Sequence, residues 1–178
     1  MGPFVVHVAR LRKVPGTRWH EVRTGPADPE DVVVTRSPAD SSIPEGADAI
    51  CEVTLESFPG GVMVTGTVAC PWRGMCRRCT APLGGVLRVG VREPFTDAAS
   101  APGVPEDEEA YPIADGVLYL APMVRDAVAL ELPMAPLCRP DCKGLCPICG
   151  GDRNVEDCRC EPPPDPRWAS LDALRSAP

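Results

Sequence analysis

Ten cysteines in a chain of 178 residues constrain its fold more than any other feature, because so many thiols must be disulfides, metal ligands or reactive groups. Eight of them fall into two clusters. The first is Cys76-Arg77-Arg78-Cys79, and the second contains six members: Cys138, Cys142, Cys146, Cys149, Cys158 and Cys160. The opening residues lack the long apolar core of a secretory signal, and no apolar run reaches the roughly 18 to 20 residues that cross a bilayer. We therefore expect a cytoplasmic chain without membrane contact, whose thiols stay reduced and bind metal.

The cysteine spacing indicates structural zinc. A C-x2-C pair brings two thiolates to one ion and tetrahedral zinc takes four, so eight cysteines predict two Zn²⁺ ions. In one arrangement, a local site uses four cysteines that are close in sequence: Cys146, Cys149, Cys158 and Cys160. The other site then joins the two clusters: Cys76 and Cys79 with Cys138 and Cys142. A crossed arrangement, with Cys76 and Cys79 meeting Cys146 and Cys149, stays open, as does a single ion.

Other readings of the cysteines are weaker. Cys51 and Cys70 lie on or beside predicted strands and are expected to be buried apolar residues. The segment from Cys146 to Cys149 resembles the thiol pair of a disulfide oxidoreductase, but it precedes two glycines and further cysteines, which is not the strand-to-helix context of that chemistry. A thiol-dependent redox or zinc-sensing protein is therefore the alternative. A catalytic zinc usually employs histidine, and the chain has only His7 and His20, which we expect at the surface.

The pattern of apolar residues predicts an α+β fold. We expect a strand near Phe4–Leu11, a hairpin over 49–70 that turns at Phe58–Gly61, and a strand over 86–91. A helix over 120–132 follows, with Leu130 among its buried residues and Pro133 as its end. The fold class is thus a mainly antiparallel, barrel-like β domain with one central helix, a C-terminal cysteine-rich zinc ribbon and a short terminal helix.

Three units follow from these elements. The first is a β-rich domain over residues 1–132, with a mobile acidic loop at about 97–110 because that segment is rich in proline, small and acidic residues. The second is the zinc ribbon over 133–160, joined to the first through Cys76 and Cys79. The third, 161–178, is a linker and a short helix that Asp165 caps, with one apolar face: Trp168, Leu171 and Leu174.

A basic block lies within an acidic protein. The net charge is −7, yet residues 71–92 contain no acid and five arginines: Arg73, Arg77, Arg78, Arg88 and Arg92. These side chains can contact RNA phosphates, or they can offset the negative charge of a four-thiolate zinc centre. Only 4% of the residues are aromatic, which argues against base stacking and for binding through phosphates or through a protein partner. No phosphate loop, catalytic triad or paired carboxylates indicate an enzyme or a small-molecule substrate.

The string Cys142-Lys143-Gly144-Leu145-Cys146-Pro147-Ile148-Cys149-Gly150 closely resembles the YceD family, as does the C-x-R-C element at Cys76–Cys79. The resemblance implies a cytoplasmic bacterial factor for accumulation of 23S ribosomal RNA and ribosome assembly, without an enzymatic reaction. Its partner is then ribosomal RNA or a pre-ribosomal or RNA-processing protein. Family members without the second quartet keep ligands near Cys138 and Cys142, which favours grouping these with Cys76 and Cys79. One departure is the segment 151–154, where the family usually has a leucine, so we expect weaker packing of the second knuckle.

Overall fold

A computed structural model describes residues 2–27, 41–97 and 110–161, together with Asp165 and Arg167. Seven strands follow one another in chain order: β1 (Val5–His7), β2 (Arg18–Pro26), β3 (Asp48–Phe58), β4 (Gly61–Met75), β5 (Pro82–Thr96), β6 (Tyr111–Ala114) and β7 (Val117–Tyr119). A 3-10 helix, Leu11–Lys13, follows β1, and the helix α1, Ala121–Glu131, follows β7. Among the described residues, no helix is long and apolar enough to cross a membrane.

The strands form one curled sheet, a half-barrel, in the order β1-β7-β6-β5-β4-β3-β2. Every neighbouring pair is antiparallel except β5 and β6, which pair in parallel through Phe95–Tyr111 and Thr96–Pro112. The predicted β-rich architecture with one helix is confirmed in this mixed form. The cysteine-rich segment follows α1 and contains one isolated bridge, between Leu145 and Asp152. Its zinc ribbon stays a prediction.

The hairpin of β3 and β4 forms as the sequence predicts. Along β3, Cys51, Val53 and Leu55 are buried, while alternate residues face outward, because successive side chains of a strand point to opposite faces. The turn has Gly60 at φ 93°, in the left-handed region that favours glycine. The core therefore lies on one side of this hairpin, and the other side faces water.

The hairpin of β4 and β5 is longer than predicted. The sequence indicated a strand over 86–91, whereas β5 extends over Pro82–Thr96 and pairs with all of β4. Glycines and prolines at its ends hide the pattern, because such residues weaken strand propensity and are tolerated where a neighbouring strand supplies the pairing. The extra length carries the turn between β4 and β5 well beyond the barrel core.

The N-terminal region differs from the prediction. The strand expected over Phe4–Leu11 is limited to β1, and Leu11 begins the 3-10 helix. β2 was not predicted, because it lies at the edge of the sheet with both faces largely accessible to water and so lacks alternating apolar residues. The structural order of the first 27 residues therefore depends on pairing with β7 and β3.

Helix α1 packs on the inner face of the sheet. It spans Ala121–Glu131, close to the predicted 120–132, and buries Met123, Val124 and Val128. The expectation that Leu130 is buried is wrong: its side chain is 88% exposed. Leu130 lies one residue before the end of the helix, where the described residues leave it open to solvent. The strand β5 is the principal neighbour of this helix face.

Two expectations lie largely outside the described residues. Most of the acidic segment 97–110 does, as do the apolar residues of the terminal helix, Trp168, Leu171 and Leu174. At the proposed cap, the carboxylate of Asp165 accepts a hydrogen bond from the backbone N–H of Arg167 (3.0 Å). The division into units at 132 and 160 remains a prediction.

Candidate metal centres

The first cysteine pair sits at the tip of the β4–β5 hairpin. Backbone hydrogen bonds from Cys76 N–H to Ala81 (2.8 Å) and from Thr80 N–H to Cys76 (2.9 Å) close the turn. Thr80 adopts φ 58°, in the left-handed region. This geometry directs both thiols to one side of the turn, where Cys76 and Cys79 are buried. A two-stranded stalk thus carries two potential ligands to the C-terminal segment.

The first tetrad combines this tip with the start of the C-terminal segment: Cys76, Cys79, Cys138 and Cys142. The sulfur of Cys76 lies 3.8 Å from that of Cys142, and the sulfur of Cys79 lies 3.6 Å from that of Cys138. All four sulfurs lie within 4.8 Å of one another. Three of the four residues are buried, and Cys138 is exposed. The structure therefore brings together cysteines more than 50 positions apart.

The second tetrad is local: Cys146, Cys149, Cys158 and Cys160. The sulfur of Cys158 lies 3.3 Å from that of Cys146 and 3.5 Å from that of Cys149. The knuckle is closed by Gly150 N–H to Cys146 O (2.9 Å) and Cys146 N–H to Gly151 O (2.8 Å). Only Cys146 is buried, so this tetrad is more open to solvent than the first. Of the two arrangements left open by the sequence, the structure adopts the uncrossed one.

The sulfur spacing fits a tetrahedral ion. Zinc–thiolate bonds of about 2.3 Å at tetrahedral angles separate the sulfurs by about 3.8 Å. The four distances between 3.3 and 3.8 Å are close to this value and far longer than the roughly 2.05 Å of a disulfide. All ten cysteines are free thiols. Each tetrad can therefore hold a metal ion, and a four-thiolate donor set suits zinc.

The thiol pKa values within each tetrad are split. The backbone N–H of Cys79 lowers the pKa of Cys76 to about 6, and the backbone N–H of Cys149 lowers the pKa of Cys146 to about 6. Hydrogen bonds to neighbouring sulfurs raise the pKa of Cys138 and of Cys160 to about 12. Four sulfurs at this spacing cannot all be anionic without a cation among them. A divalent cation at the centre of each tetrad would favour the thiolate form of all four sulfurs.

Asn154 connects the two tetrads, and the sequence reasoning did not identify this role. It lies between Cys149 and Cys158, yet its side-chain amide donates a hydrogen bond to Sγ of Cys142 (3.4 Å). Its Oδ1 accepts a hydrogen bond from the backbone N–H of Lys143 (2.8 Å). Burial raises the pKa of Cys142, but the Asn154 amide and other donors outweigh it and lower that pKa. The sequence did contain one signal that could have drawn attention to this residue, since Asn154 is the only asparagine of the chain.

Arg78 fastens the hairpin tip to the C-terminal segment. Its guanidinium donates to the backbone carbonyl of Cys142 (2.8 Å), and its own carbonyl accepts from Leu145 N–H (3.0 Å). Gly144, whose φ is 73°, packs against the backbone of Arg78. A Cβ atom added at Gly144 would lie 2.9 Å from the backbone carbonyl oxygen of Arg78. Next to it, Arg77 N–H donates to the carbonyl of Pro136 (2.9 Å). These contacts fix the geometry of the first tetrad.

The remaining basic candidates lie on the outer face of the β4–β5 hairpin. Arg73, Arg88 and Arg92, here called the arginine row, are exposed, and no described residue forms an ion pair with them. Arg73 is opposite Gly84 in the register, four positions before Arg88, which is four positions before Arg92. Four strand residues span about 13 Å, so the row is evenly spaced. Arg77 is exposed at the hairpin tip, beyond the row.

The row is bordered by small and hydroxyl-bearing residues. Gly90 lies between Arg88 and Arg92 on the same face, and a Cβ placed there would meet nothing within 4 Å. Packing therefore does not require glycine at this position, although glycine weakens a strand and often marks a close approach of a ligand. Across the hairpin, Thr67 is opposite Gly90 and Thr65 is opposite Arg92. This part of the face is basic and rich in hydrogen-bond donors.

Cys51 and Cys70 are fully buried in the hydrophobic core, as expected, and burial raises the pKa of each to about 11. Neither belongs to a tetrad. His7 and His20 are exposed, as expected, and Nε2 of His20 lies 3.6 Å from a carboxylate oxygen of Glu52. None of these four residues is placed as a metal ligand within the described part of the chain.

Comparison with known proteins relates the chain to a described family. The model of the family described as large ribosomal RNA subunit accumulation protein YceD matches residues 64–175, which include every cysteine of both tetrads. An uncharacterised protein of Mycobacterium tuberculosis is 38% identical over 172 residues, covering 95% of this chain and 80% of the relative. One from Mycobacterium leprae is 38% identical over 127 residues, 71% of this chain and 58% of the relative.

A plant protein is also similar to part of this chain. The large ribosomal RNA subunit accumulation protein YCED homolog 1, chloroplastic, of Zea mays is 36% identical over 58 residues, 32% of this chain and 20% of that protein. No solved structure matches the chain. The family match covers more than half of the residues and includes the hairpin tip, α1 and both knuckles, and on this evidence the chain belongs to the YceD family.

Proposed function

We propose that this protein is a non-enzymatic, cytoplasmic factor of ribosome biogenesis that binds two Zn²⁺ ions and supports the accumulation of 23S ribosomal RNA. Family membership supports the role in large-subunit RNA accumulation. The uncrossed tetrads support zinc, because each presents four sulfurs at tetrahedral spacing. Bound zinc would supply structural cross-linking: one ion ties the hairpin tip to the segment after α1, and the other closes the second knuckle.

The arginine row is the observation that supports an RNA contact. Three guanidinium groups without ion-pair partners among the described residues lie at intervals of about 13 Å on one face of the β4–β5 hairpin. Such groups bind phosphates and release counterions, which makes binding sequence-independent and salt-dependent. Gly90 lets a sugar–phosphate backbone approach the strand, and Thr65 and Thr67 offer further hydroxyl donors. The first zinc site would hold this face in a fixed orientation to the C-terminal segment.

Arg78 has a different role in this proposal. Its guanidinium is already hydrogen-bonded to the carbonyls of Cys142 and, at 3.4 Å, Pro140. We assign it to the structural junction of the first tetrad, and Arg77 at the exposed tip to the RNA or partner contact. A partner protein of the pre-ribosome stays the alternative target of the same face.

The test compares two charge reversals in cells that lack the protein. Arg88→Glu with Arg92→Glu reverses two of the three charges of the row, and Arg10→Glu with Lys13→Glu makes the same change of charge at exposed positions elsewhere. The row variant should fail to restore the ratio of 23S to 16S RNA, whereas the control should restore it. With a purified 23S fragment, Arg88→Ala should reduce the slope of log K against log salt by about 0.7. Equal behaviour of both double variants would remove the row from the proposal.

A separate experiment distinguishes the zinc-sensing or redox alternative. A regulatory thiol protein would release zinc or form disulfides reversibly at physiological oxidant levels, and the lowered pKa values of Cys76 and Cys146 would favour it. A structural site keeps two equivalents of zinc through such treatment. Mass spectrometry of the native protein after mild peroxide treatment decides between these outcomes.

A further inference from the structure

A groove of about 270 Å³ runs between β5 and α1, on the face of the sheet opposite the arginine row. Val89, Val91 and Glu93 line one wall, and these positions alternate with Arg88 and Arg92 along the strand. Gly90 also lines the groove although its position belongs to the other face. The groove therefore reaches the backbone at the edge of β5.

That edge of β5 is unpaired over most of its length within the described residues. β4 pairs along the opposite edge from Pro82 to Thr96, whereas β6 joins the near edge only at Phe95 and Thr96. An edge strand presents a row of backbone N–H and C=O groups that can accept an added strand. Prolines and charged residues often protect such edges, but none interrupts Val89–Val91.

On the helix wall, Leu130 supplies exposed apolar surface, whereas Met123 is buried and Ala127 is half-buried. Leu130 is 88% exposed at the groove, and Met123 and Ala127 lie on the same helical face, at the i, i+4 and i+7 spacing of one stripe. Sequence patterning suggested that Leu130 belongs to the core, and no core residue covers it in the described structure. A groove with an open strand edge on one side and a helix on the other has the geometry of peptide recognition by strand addition.

The charges of the groove define what can occupy it. All its charged lining residues are acidic: Glu93, Asp126 and Glu131. Asp126 accepts a hydrogen bond from the hydroxyl of Tyr111 (2.9 Å) and forms an ion pair with Arg125 (3.0 Å). Asp126 is thus already partnered, and the exposed carboxylate of Glu131, beside Leu130, is the group that complements a cation carried on an apolar stem, which is the structure of lysine and arginine side chains. A nucleic acid would meet like charge here.

We propose that this groove binds an extended segment of a partner protein, which adds to β5 as a strand and carries lysine or arginine at alternate positions. Alternate side chains of the segment would enter the groove, where their stems contact Val91 and Leu130 and their cationic ends approach Glu131. The other side chains would project toward Arg88 and Arg92, so basic residues are disfavoured there. The lining from Val89 to Glu93 spans about 13 Å, enough for about four to five residues of the segment.

The test uses the full chain and two fluorescent peptides of equal length, one alternating lysine with threonine and one alternating glutamate with threonine. Anisotropy should show saturable binding of the lysine peptide only. Glu131→Lys should weaken it about five-fold, because one attraction becomes a repulsion, and Leu130→Ser about three-fold. Glu45→Lys is the matched control, an exposed acid outside the groove, and should leave binding unchanged.

Hydrogen exchange locates the bound peptide. Amides of residues 86–93 should exchange more slowly with the lysine peptide present, because an added strand protects them. Equal binding of both peptides, an equal loss with Glu45→Lys, or protection confined to other regions would overturn the proposal. A dimer that Leu130→Ser dissociates would show instead that a second copy occupies the edge. RNA binding through the opposite face is measured separately, so either proposal can fail alone.

Discussion

The side-chain amide of Asn154 donates a hydrogen bond to Sγ of Cys142 (3.4 Å), although the two residues belong to different knuckles. Asn154 lies within the loop of the second tetrad, and Cys142 is a member of the first. The same side chain accepts hydrogen bonds from Arg139 and Lys143 at 2.8 Å each. The side-chain amide of Asn154 thus orients a sulfur of the first tetrad, while the backbone of Asn154 belongs to the loop of the second. The two candidate metal sites are therefore mechanically coupled.

Asn154→Ala should weaken zinc at the first tetrad about 10- to 100-fold, because hydrogen bonds to a ligand orient it and stabilise its thiolate. Competition with a chromophoric chelator measures this affinity for each equivalent of zinc. Val155→Ala, at the adjacent position with an 82% exposed side chain, is the control and should behave as the native protein. Equal affinities in all three proteins would show that the Asn154 contact does not act on the metal.

Cys146→Ser should remove one zinc of two and loosen the second knuckle, while the β sheet keeps its exchange protection, because the metal supplies the fold of such a small loop. Cys76→Ser should remove the other zinc and also detach the hairpin tip. Metal analysis measures the loss of zinc, and hydrogen exchange measures the loss of local structure. Cys51→Ala, in the core and outside the tetrads, should keep two zinc ions and lose only core stability. Unchanged metal content in Cys146→Ser would refute the ligand assignment.

Zinc binding at pH 7.5 should release at least two protons per tetrad. Cys138 and Cys160 hold their protons at this pH because neighbouring sulfurs raise each pKa to about 12. The pKa values of Cys79 and Cys158 are also raised. Cys76 and Cys146, whose pKa values are lowered to about 6, are already ionised. The zinc-bound state carries fewer protons, so affinity should rise with pH from 6 to 8. Calorimetry in buffers of different ionisation enthalpy counts the protons. A pH-independent affinity would contradict this expectation.

Gly144→Ala should destabilise the zinc-loaded protein more than Gly150→Ala. Both glycines have positive φ, 73° and 74°, which costs an alanine about 1 to 2 kcal/mol. Only at Gly144 would the added Cβ lie 2.9 Å from the carbonyl oxygen of Arg78, whereas it meets nothing within 4 Å at Gly150. We expect an additional loss of about 1 kcal/mol or more at Gly144. Unfolding of both variants with zinc bound measures the difference, and equal losses would place Gly144 outside the tetrad junction.

Local patterns predicted the elements whose sequence signals are strong. The alternation of Cys51, Val53 and Leu55 identified β3, and the turn glycines identified its hairpin, because a strand with one buried face imposes a period of two. The helix was placed within one residue at each end. The edge strand β2 and the short strands β6 and β7 were missed, since pairing with neighbours, rather than their own residues, makes them strands.

The sequence by itself determined which eight cysteines form the candidate sites, which block of the chain is basic and which family the chain resembles, since these properties reside in residue identity and spacing. Only the tertiary structure decided how the cysteines are grouped, because ligands 59 positions apart, Cys79 and Cys138, meet through the path of the β4–β5 hairpin. It also assigned Arg78 to a structural junction and Arg88 to an open face, and it left Leu130 exposed beside an unpaired strand edge. These outcomes depend on which surfaces the sheet covers, and spacing along the chain does not encode that coverage.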